Sequence, residues 1–208
     1  EDLEKYHEGL IVCSACIAGE VPAKVLKGDI EGAREACKWY HNIFGDDYYL
    51  ELQRHEVTDP TLIANRETFP LQQQANKALI EMAREFGIKL VCTNDCHFED
   101  KETAEAHDHL LCLSTGKDLN DPDRMRYTKQ EWFKTRQELN DVFSDIPEAL
   151  SNTLEILDKV EMYSIEHGPI MPFFPIPESF GTEEEWRQKF STDDLYREFT
   201  TDENGNNQ

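Results

Sequence analysis

Ile88-Lys89-Leu90-Val91-Cys92-Thr93-Asn94-Asp95-Cys96-His97 is an apolar run that ends in a carboxylate and an imidazole two residues apart. An extended backbone sends alternate side chains to opposite faces, so Asp95 and His97 are expected to point the same way. A carboxylate and an imidazole converging at a strand end form a pincer for a divalent ion, and α/β proteins place their chemistry at such ends. An Asx-turn aspartate beside an incidental surface histidine is the plain alternative, and spacing alone leaves the two even.

Working back from this run, the chain alternates. Gly9-Leu10-Ile11-Val12-Cys13 reads as a strand covered on both faces. Ile30, Ala33, Cys37, Tyr40 and Phe44 recur at helical spacing before Gly45, and Tyr48 to Gln53 reads as a second strand. Leu71, Ala75, Leu79, Met82 and Phe86 mark a second helix, stopped by Gly87 ahead of the third strand, Ile88 to Asn94. Strand–helix–strand–helix–strand with short links predicts a parallel βαβαβ core. Three strands do not separate an open sheet from a slice of barrel. Glu51, on a face with Tyr49 and Gln53 opposite Leu50 and Leu52, suits a polar barrel mouth; an edge strand with one wet face is the competing reading.

Beyond the third strand the pattern turns helical, giving an α/β fold with a mainly helical C-terminal part. Ala104 to Leu113 is one helix, and Thr135-x-x-Glu138 and Asp145-x-x-Glu148 carry N-terminal capping signals. The second opens a stripe of Leu150, Leu154, Leu157 and Val160. Residues 168–177 hold prolines at 169, 172, 175 and 177 and read as an extended connector packed on the surface. Thr182-x-x-Glu185 starts one more helix to about Phe199, and Thr201 to Gln208 reads as a mobile polar tail.

Bulk properties narrow the function. With 21 basic and 43 acidic residues the net charge is −22, a surface that repels phosphate backbones, so this piece is not expected to be the main grip on any nucleic acid. No run approaches the ~18 apolar residues of a membrane span. Six cysteines beside apolar strands and helices, with no export signal, read as thiols in a reducing cytoplasm. The chain opens on Glu1 rather than Met, which reads as a piece cut from a longer protein. Cys13-x-x-Cys16 with Cys92-x-x-x-Cys96 could be drawn as a four-thiolate zinc site, but both pairs follow strand-like runs rather than a knuckle turn. Cys16, past the first strand, shares a rim with Asp95 and His97 and could join them as a thiolate; a small buried hydrophobe is its ordinary role. His107 and His109 lie at i, i+2 and cannot chelate one ion together. His107, and His55 after the second strand, are candidates for a place near the rim.

Several stretches together carry a resemblance. These are Gly9 to Glu20, Phe44 to Gln53, Cys92 to Phe98, Ala106 to Cys112 and Thr115-Gly116-Lys117, in this order. The chain resembles the family C alpha subunits of bacterial DNA polymerase III, in the later part of their N-terminal polymerase-and-histidinol-phosphatase (PHP) domain. The resemblance implies a partial, distorted (β/α)7 barrel over residues 1–165, with 166–208 a Pro-rich linker and helix leading toward the polymerase palm. It implies Cys16, Asp95 and His97 as metal ligands, with Glu51, His55 and His107 behind them, and divalent Zn, Mn or Mg in the complete domain. The six further ligands of the family would precede Glu1, so this piece is expected to bind metal weakly or not at all, to lack activity, and to self-associate or pair with an upstream segment.

For the longer protein the resemblance implies DNA-directed DNA polymerase activity with a 3′–5′ exonuclease or phosphoesterase module. Its partners would be the remainder of the polymerase chain, a separate proofreading exonuclease, a sliding clamp, and DNA held by other domains. A non-catalytic PHP scaffold is the rival; a stand-alone PHP phosphoesterase is a further one.

Overall fold

The computed structural model describes residues 2–57, 63–173, 175, 177–200 and 206. They fall into two compact units, Glu1–Glu161 and Met162–Gln208.

The first unit is built on a parallel sheet. Strands β1 (Val12–Cys13), β2 (Tyr48–Leu52) and β3 (Lys89–Cys92) lie in that order. Val12 pairs with Tyr48, and Leu50 with Leu90. Helices α1 (Asp2–Lys5), α2 (Glu20–Leu26), α3 (Ile30–Phe44) and α4 (Ile63–Phe86) occupy the first half. The β–α–β–α–β alternation read from the sequence is therefore present. Leu50 and Leu52 are fully buried in a core with Ala33, Cys37, Leu79 and Met82 from α3 and α4. At the stripe edges, however, Ile30 and Leu71 are exposed. Burying Leu50 and Leu52 alone contributes roughly 4 kcal/mol, at about 2 kcal/mol per apolar side chain.

The first strand is shorter than its apolar run implied: two residues, both half-buried, with Leu10 exposed. The backbone leaves the sheet at Ser14, whose N–H still donates to the Tyr49 carbonyl at 3.0 Å and whose hydroxyl accepts from the Glu51 N–H at 2.8 Å. A side chain thus takes over the ladder where the main chain departs. The following turn is forced by Gly19: a Cβ there would stand 2.1 Å from the Ser14 carbonyl oxygen. Gly19 then caps α2, an element the sequence reading omitted. Its signals were present, since Val21 and Val25 are both buried one helical turn apart.

After β3 come α5 (Ala104–Thr115), α6 (Arg136–Val142) and α7 (Pro147–Lys159). Gly116, left-handed at φ 66°, stops α5. Thr135 and Glu138 form the expected reciprocal cap of α6. Asp145 does not cap α7; its carboxylate instead takes a two-pronged hydrogen bond from Arg54 at 2.6 and 2.9 Å, a long-range partner no local pattern announces. The stripe on α7 is also rotated from its expected role. Of the expected residues only Leu150 packs, partly buried, against the core, beside the buried Ala149, whereas Leu154, Leu157 and Val160 are exposed. The polar face meets the sheet: Asn152 donates to the Leu90 carbonyl at 2.7 Å, and Glu155 accepts from Tyr49 and Lys89. That contact satisfies a carbonyl on the outer edge of β3.

In the second unit, residues 168–173 have no helix or strand, and Phe173 is 90% exposed. Phe174 and Ile176 of the expected connector lie outside the described residues. Two helices replace the single one expected, α8 (Glu183–Lys189) and α9 (Thr192–Thr200). The break follows from a fresh cap: Asp194 accepts from the Ser191 N–H and hydroxyl, and the Asp194 N–H donates to Ser191. The expected tail, Thr201 to Gln208, lies outside the described residues apart from Asn206. Among the described residues no helix is long and apolar enough to cross a membrane.

Candidate metal-binding rim

Because the three strands run parallel, their C-terminal ends open on one rim: Ser14 to Cys16 after β1, Gln53 to His55 after β2, and Thr93 to His97 after β3. The backbone at this rim is unusual. The described non-glycine residues with positive φ are Ala15 (62°), Asp95 (46°) and Lys129 (63°), respectively beside Cys16, within the pincer, and in the segment that packs on it. Such conformations cost about 1–3 kcal/mol each and collect at functional sites.

Asp95 and His97 do converge. Asp95 Oδ1 lies 3.3 Å from His97 Nε2, with both side chains partly open to solvent. The route differs from simple alternation. The strand ends at Cys92, and the left-handed turn at Asp95 swings the carboxylate back toward His97. Asn94 anchors that turn. It is buried, donates to the carbonyls of Gln130 and Trp132 at 2.9 and 2.7 Å, and accepts from His55 Nε2 at 3.1 Å.

His55 is buried beneath the rim rather than lying on it. Its N–H donates to Gln72 Oε1 at 2.8 Å, so the Gln72 amide nitrogen, 3.1 Å away, donates to Nδ1 and leaves Nε2 protonated toward Asn94. Burial pushes the His55 pKa down, partly offset by the Glu131 carboxylate. Glu131 is itself tied by the Thr128 N–H and hydroxyl and by the Gln130 N–H.

Glu51 stands one layer below, on the sheet face opposite Leu50 and Leu52. It accepts from Gln53 at 3.2 Å and from the Thr93 hydroxyl, joining β2 to the end of β3. It shares a narrow cleft with Cys16, Gln53 and Gln72. The Cys13 thiol on this face is pushed up to about 11 by burial and by the charge of Glu51.

The other side of the pincer is aromatic. The His97 ring lies 4.4 Å from Tyr127 and 5.9 Å from His107, and His107 lies 5.2 Å from Phe98. His109 turns away and bonds its own helix at the Glu105 carbonyl. Burial raises the Tyr127 phenol pKa, and the nearby carboxylates of Asp95 and Glu131 add to it. Tyr127, Glu131, Asn94 and Gln72 were missed by sequence reasoning. Only Asn94, adjacent to the pincer, carried a local signal.

The chemistry of the donor pair fits a divalent ion in part. Donors bound at about 2.0–2.2 Å to one tetrahedral ion stand about 3.3 Å apart, close to the observed separation of Asp95 and His97. No group of three or more His, Cys, Asp or Glu side chains able to hold an ion occurs among the described residues.

Comparison with known proteins agrees with this architecture. The PHP domain family matches residues 1–55, which include Cys16, Glu51 and His55 but stop short of Asp95 and His97. The DNA polymerase III subunit alpha of Borreliella burgdorferi is 36% identical over 197 residues, 94% of this chain and 16% of the relative. The Campylobacter jejuni subunit is 38% identical over 184 residues, 83% of this chain and 14% of that protein. The Treponema pallidum subunit is 34% identical over 188 residues, 89% of the chain and 15% of the relative. The chain thus spans about one-sixth of the length of these relatives. Its first 55 residues are similar to the PHP domain family, and nearly its whole length aligns with one stretch of the DNA polymerase III alpha subunits.

Proposed function

We propose that residues 1–165 form the later part of a PHP module, and 166–208 its passage toward the palm, within a replicative DNA polymerase III alpha subunit. In that longer protein Cys16, Asp95 and His97 serve as rim donors to divalent Zn, Mn or Mg, and the module hydrolyses phosphodiesters as a 3′–5′ exonuclease. The observation that carries this reading is the 3.3 Å approach of Asp95 to His97 at the common rim of three parallel strands. A bound divalent ion would lower the pKa of a coordinated water and polarise the phosphodiester. Asp95 and His97 supply an anionic oxygen and a neutral nitrogen from one short loop. Asn94 and His55 hold the backbone of that loop in place, and Glu51 and His107 flank it. DNA-directed DNA polymerase activity, with DNA, the sliding clamp and a proofreading subunit as partners, resides in the rest of the protein, in keeping with a charge of −22 on this piece.

One observation favours a second reading, a non-catalytic scaffold: no three-donor group forms among the described residues. In that case the module would dock neighbouring domains, and the exposed Leu154, Leu157 and Val160 of α7 offer a face for them.

The test is the metal content and Mn²⁺- or Zn²⁺-dependent exonuclease rate of the full-length subunit. Replacing Asp95 or His97 by alanine is expected to lower both at least about tenfold. Unchanged metal and unchanged rate would leave the scaffold reading standing.

A further inference from the structure

We infer that Tyr127 is a positioning residue of the rim: the segment carrying it is riveted to α5, and its ring is laid against His97 to hold Nε2 toward Asp95. The inference rests on the metal-rim reading above and adds to it a residue outside the donor set. The rivet is Arg124, whose Nη1 and Nη2 donate to Asp108 Oδ1 and Oδ2 at 2.6 and 2.8 Å. The Arg124 and Asp108 side chains are 9% and 12% exposed. A two-pronged guanidinium–carboxylate pair of this kind fixes orientation as well as distance. Arg124 Nε also donates to the Leu119 carbonyl at 2.9 Å, and Lys129 reaches Glu105 on the same helix at 2.6 Å. Two ionic ties therefore flank Tyr127 on either side in sequence.

Between those ties the Tyr127 ring lies 4.4 Å from that of His97 at 51° and 5.3 Å from that of His107. His107 precedes Asp108 on α5, so one helix supplies both the anchor of the segment and the second ring beside His97. The His97 backbone N–H donates to the Glu131 carbonyl at 2.8 Å, which fixes its main chain but not its ring. A partly exposed imidazole left without packing would sample other rotamers, and ordering it again opposes ligand binding. The tyrosine ring, rather than its hydroxyl, carries this role.

The test uses the full-length protein with two readouts. The first needs no metal: in chelator-treated protein, carbethoxylation of His97 by diethyl pyrocarbonate is followed by peptide mass spectrometry. Tyr127→Leu should accelerate it several-fold, whereas Tyr127→Phe should react like the wild type. The second uses Co²⁺ as the probe. Tyr127→Leu should weaken its binding about tenfold and shift its visible spectrum, with Tyr127→Phe unaltered. Arg124→Asp should mimic Tyr127→Leu, and the exchanged pair Arg124→Asp with Asp108→Arg should restore His97 protection. Protection of His97 unchanged in both Tyr127→Leu and Arg124→Asp would overturn the inference. His97→Ala serves as the control for the underlying reading. If it leaves Co²⁺ binding untouched, the metal rim fails while the packing of Tyr127 on His97 still stands or falls on the modification rate.

Discussion

His55 Nδ1 lies 3.4 Å from the Glu131 carboxylate, and both residues are only 2% exposed. The two lie in one buried network that links the end of β2 to a segment more than seventy residues later: Nδ1 accepts from Gln72, Nε2 donates to the Asn94 carbonyl, and the Asn94 side chain donates to Gln130 beside Glu131, which supports the turn that carries Asp95. Buried polar networks of this kind stabilise only while each member keeps its partner.

One consequence concerns pH. Burial holds the His55 pKa below its ordinary 6.5 in the folded state, so below that value the unfolded chain takes up a proton that the folded one refuses. The contribution of His55 is therefore complete above about pH 6.5 and lost as pH falls beneath it. Urea midpoints should drop between about pH 7.5 and about pH 5.5, and the drop should be smaller in His55→Gln. Equal drops in both proteins would contradict the assignment of a buried neutral imidazole.

The Glu155 cluster titrates in a different window. Hydrogen bonds from Lys89 at 2.7 Å and then from Tyr49 at 2.6 Å hold its carboxyl down at about 2, against 4.5 ordinarily. Its stabilisation is present above pH 4.5 and fades as pH falls toward 2. The side chain is about a third exposed, so solvent screening keeps the contribution to about 1 kcal/mol. Glu155→Gln should cost that much near neutrality, and the gap from wild type should close in acid. A gap that stays constant with pH would show that charge is not its source.

Gly19 offers a sharper geometric test. An added Cβ would meet the Ser14 carbonyl at 2.1 Å, so Gly19→Ala has to open the turn that presents Cys16. We expect a loss of about 1–3 kcal/mol in stability. Iodoacetamide labelling at Cys16, read by mass spectrometry, should also change rate. Wild-type stability together with wild-type labelling would mean the turn is not as tight as described.

Core and stripe leucines should separate cleanly. Leu52 is fully buried against α3 and α4, so Leu52→Ala should cost about 3 kcal/mol. Leu157 is 65% exposed, so Leu157→Ala should fall within about 0.5 kcal/mol of wild type. Chemical denaturation of both variants checks this, and comparable losses would place the apolar stripe of α7 in a core after all.

Much of this was legible from residue order because the signals are local. Period-two and period-3.6 patterns announced Tyr48–Leu52 and the buried stripes of α3 and α4, and the opposed faces of Leu50 and Glu51 follow from the pleat alone. The reciprocal caps at Thr135 and Thr182 were equally plain, since each closes within one helical turn. Where a local signal met a stronger distant partner, it misled. Asp145 looked like a helix cap, but the Arg54 guanidinium offers two charged donors, and the acid turns toward it.

The acid and imidazole that converge at the rim, Asp95 and His97, were thus written in the chain itself, whereas the Cys16 thiol, also placed after an apolar run, does not complete a three-donor group with them among the described residues. The shape of the rim was not so written. The left-handed turn at Asp95, the imidazole of His55 beneath Asn94, and the tyrosine laid on His97 depend on segments brought together across tens of residues. Such contacts arise only when chain entropy has been overcome by burial of the shared core, and no short window of sequence records which distant groups will then be neighbours.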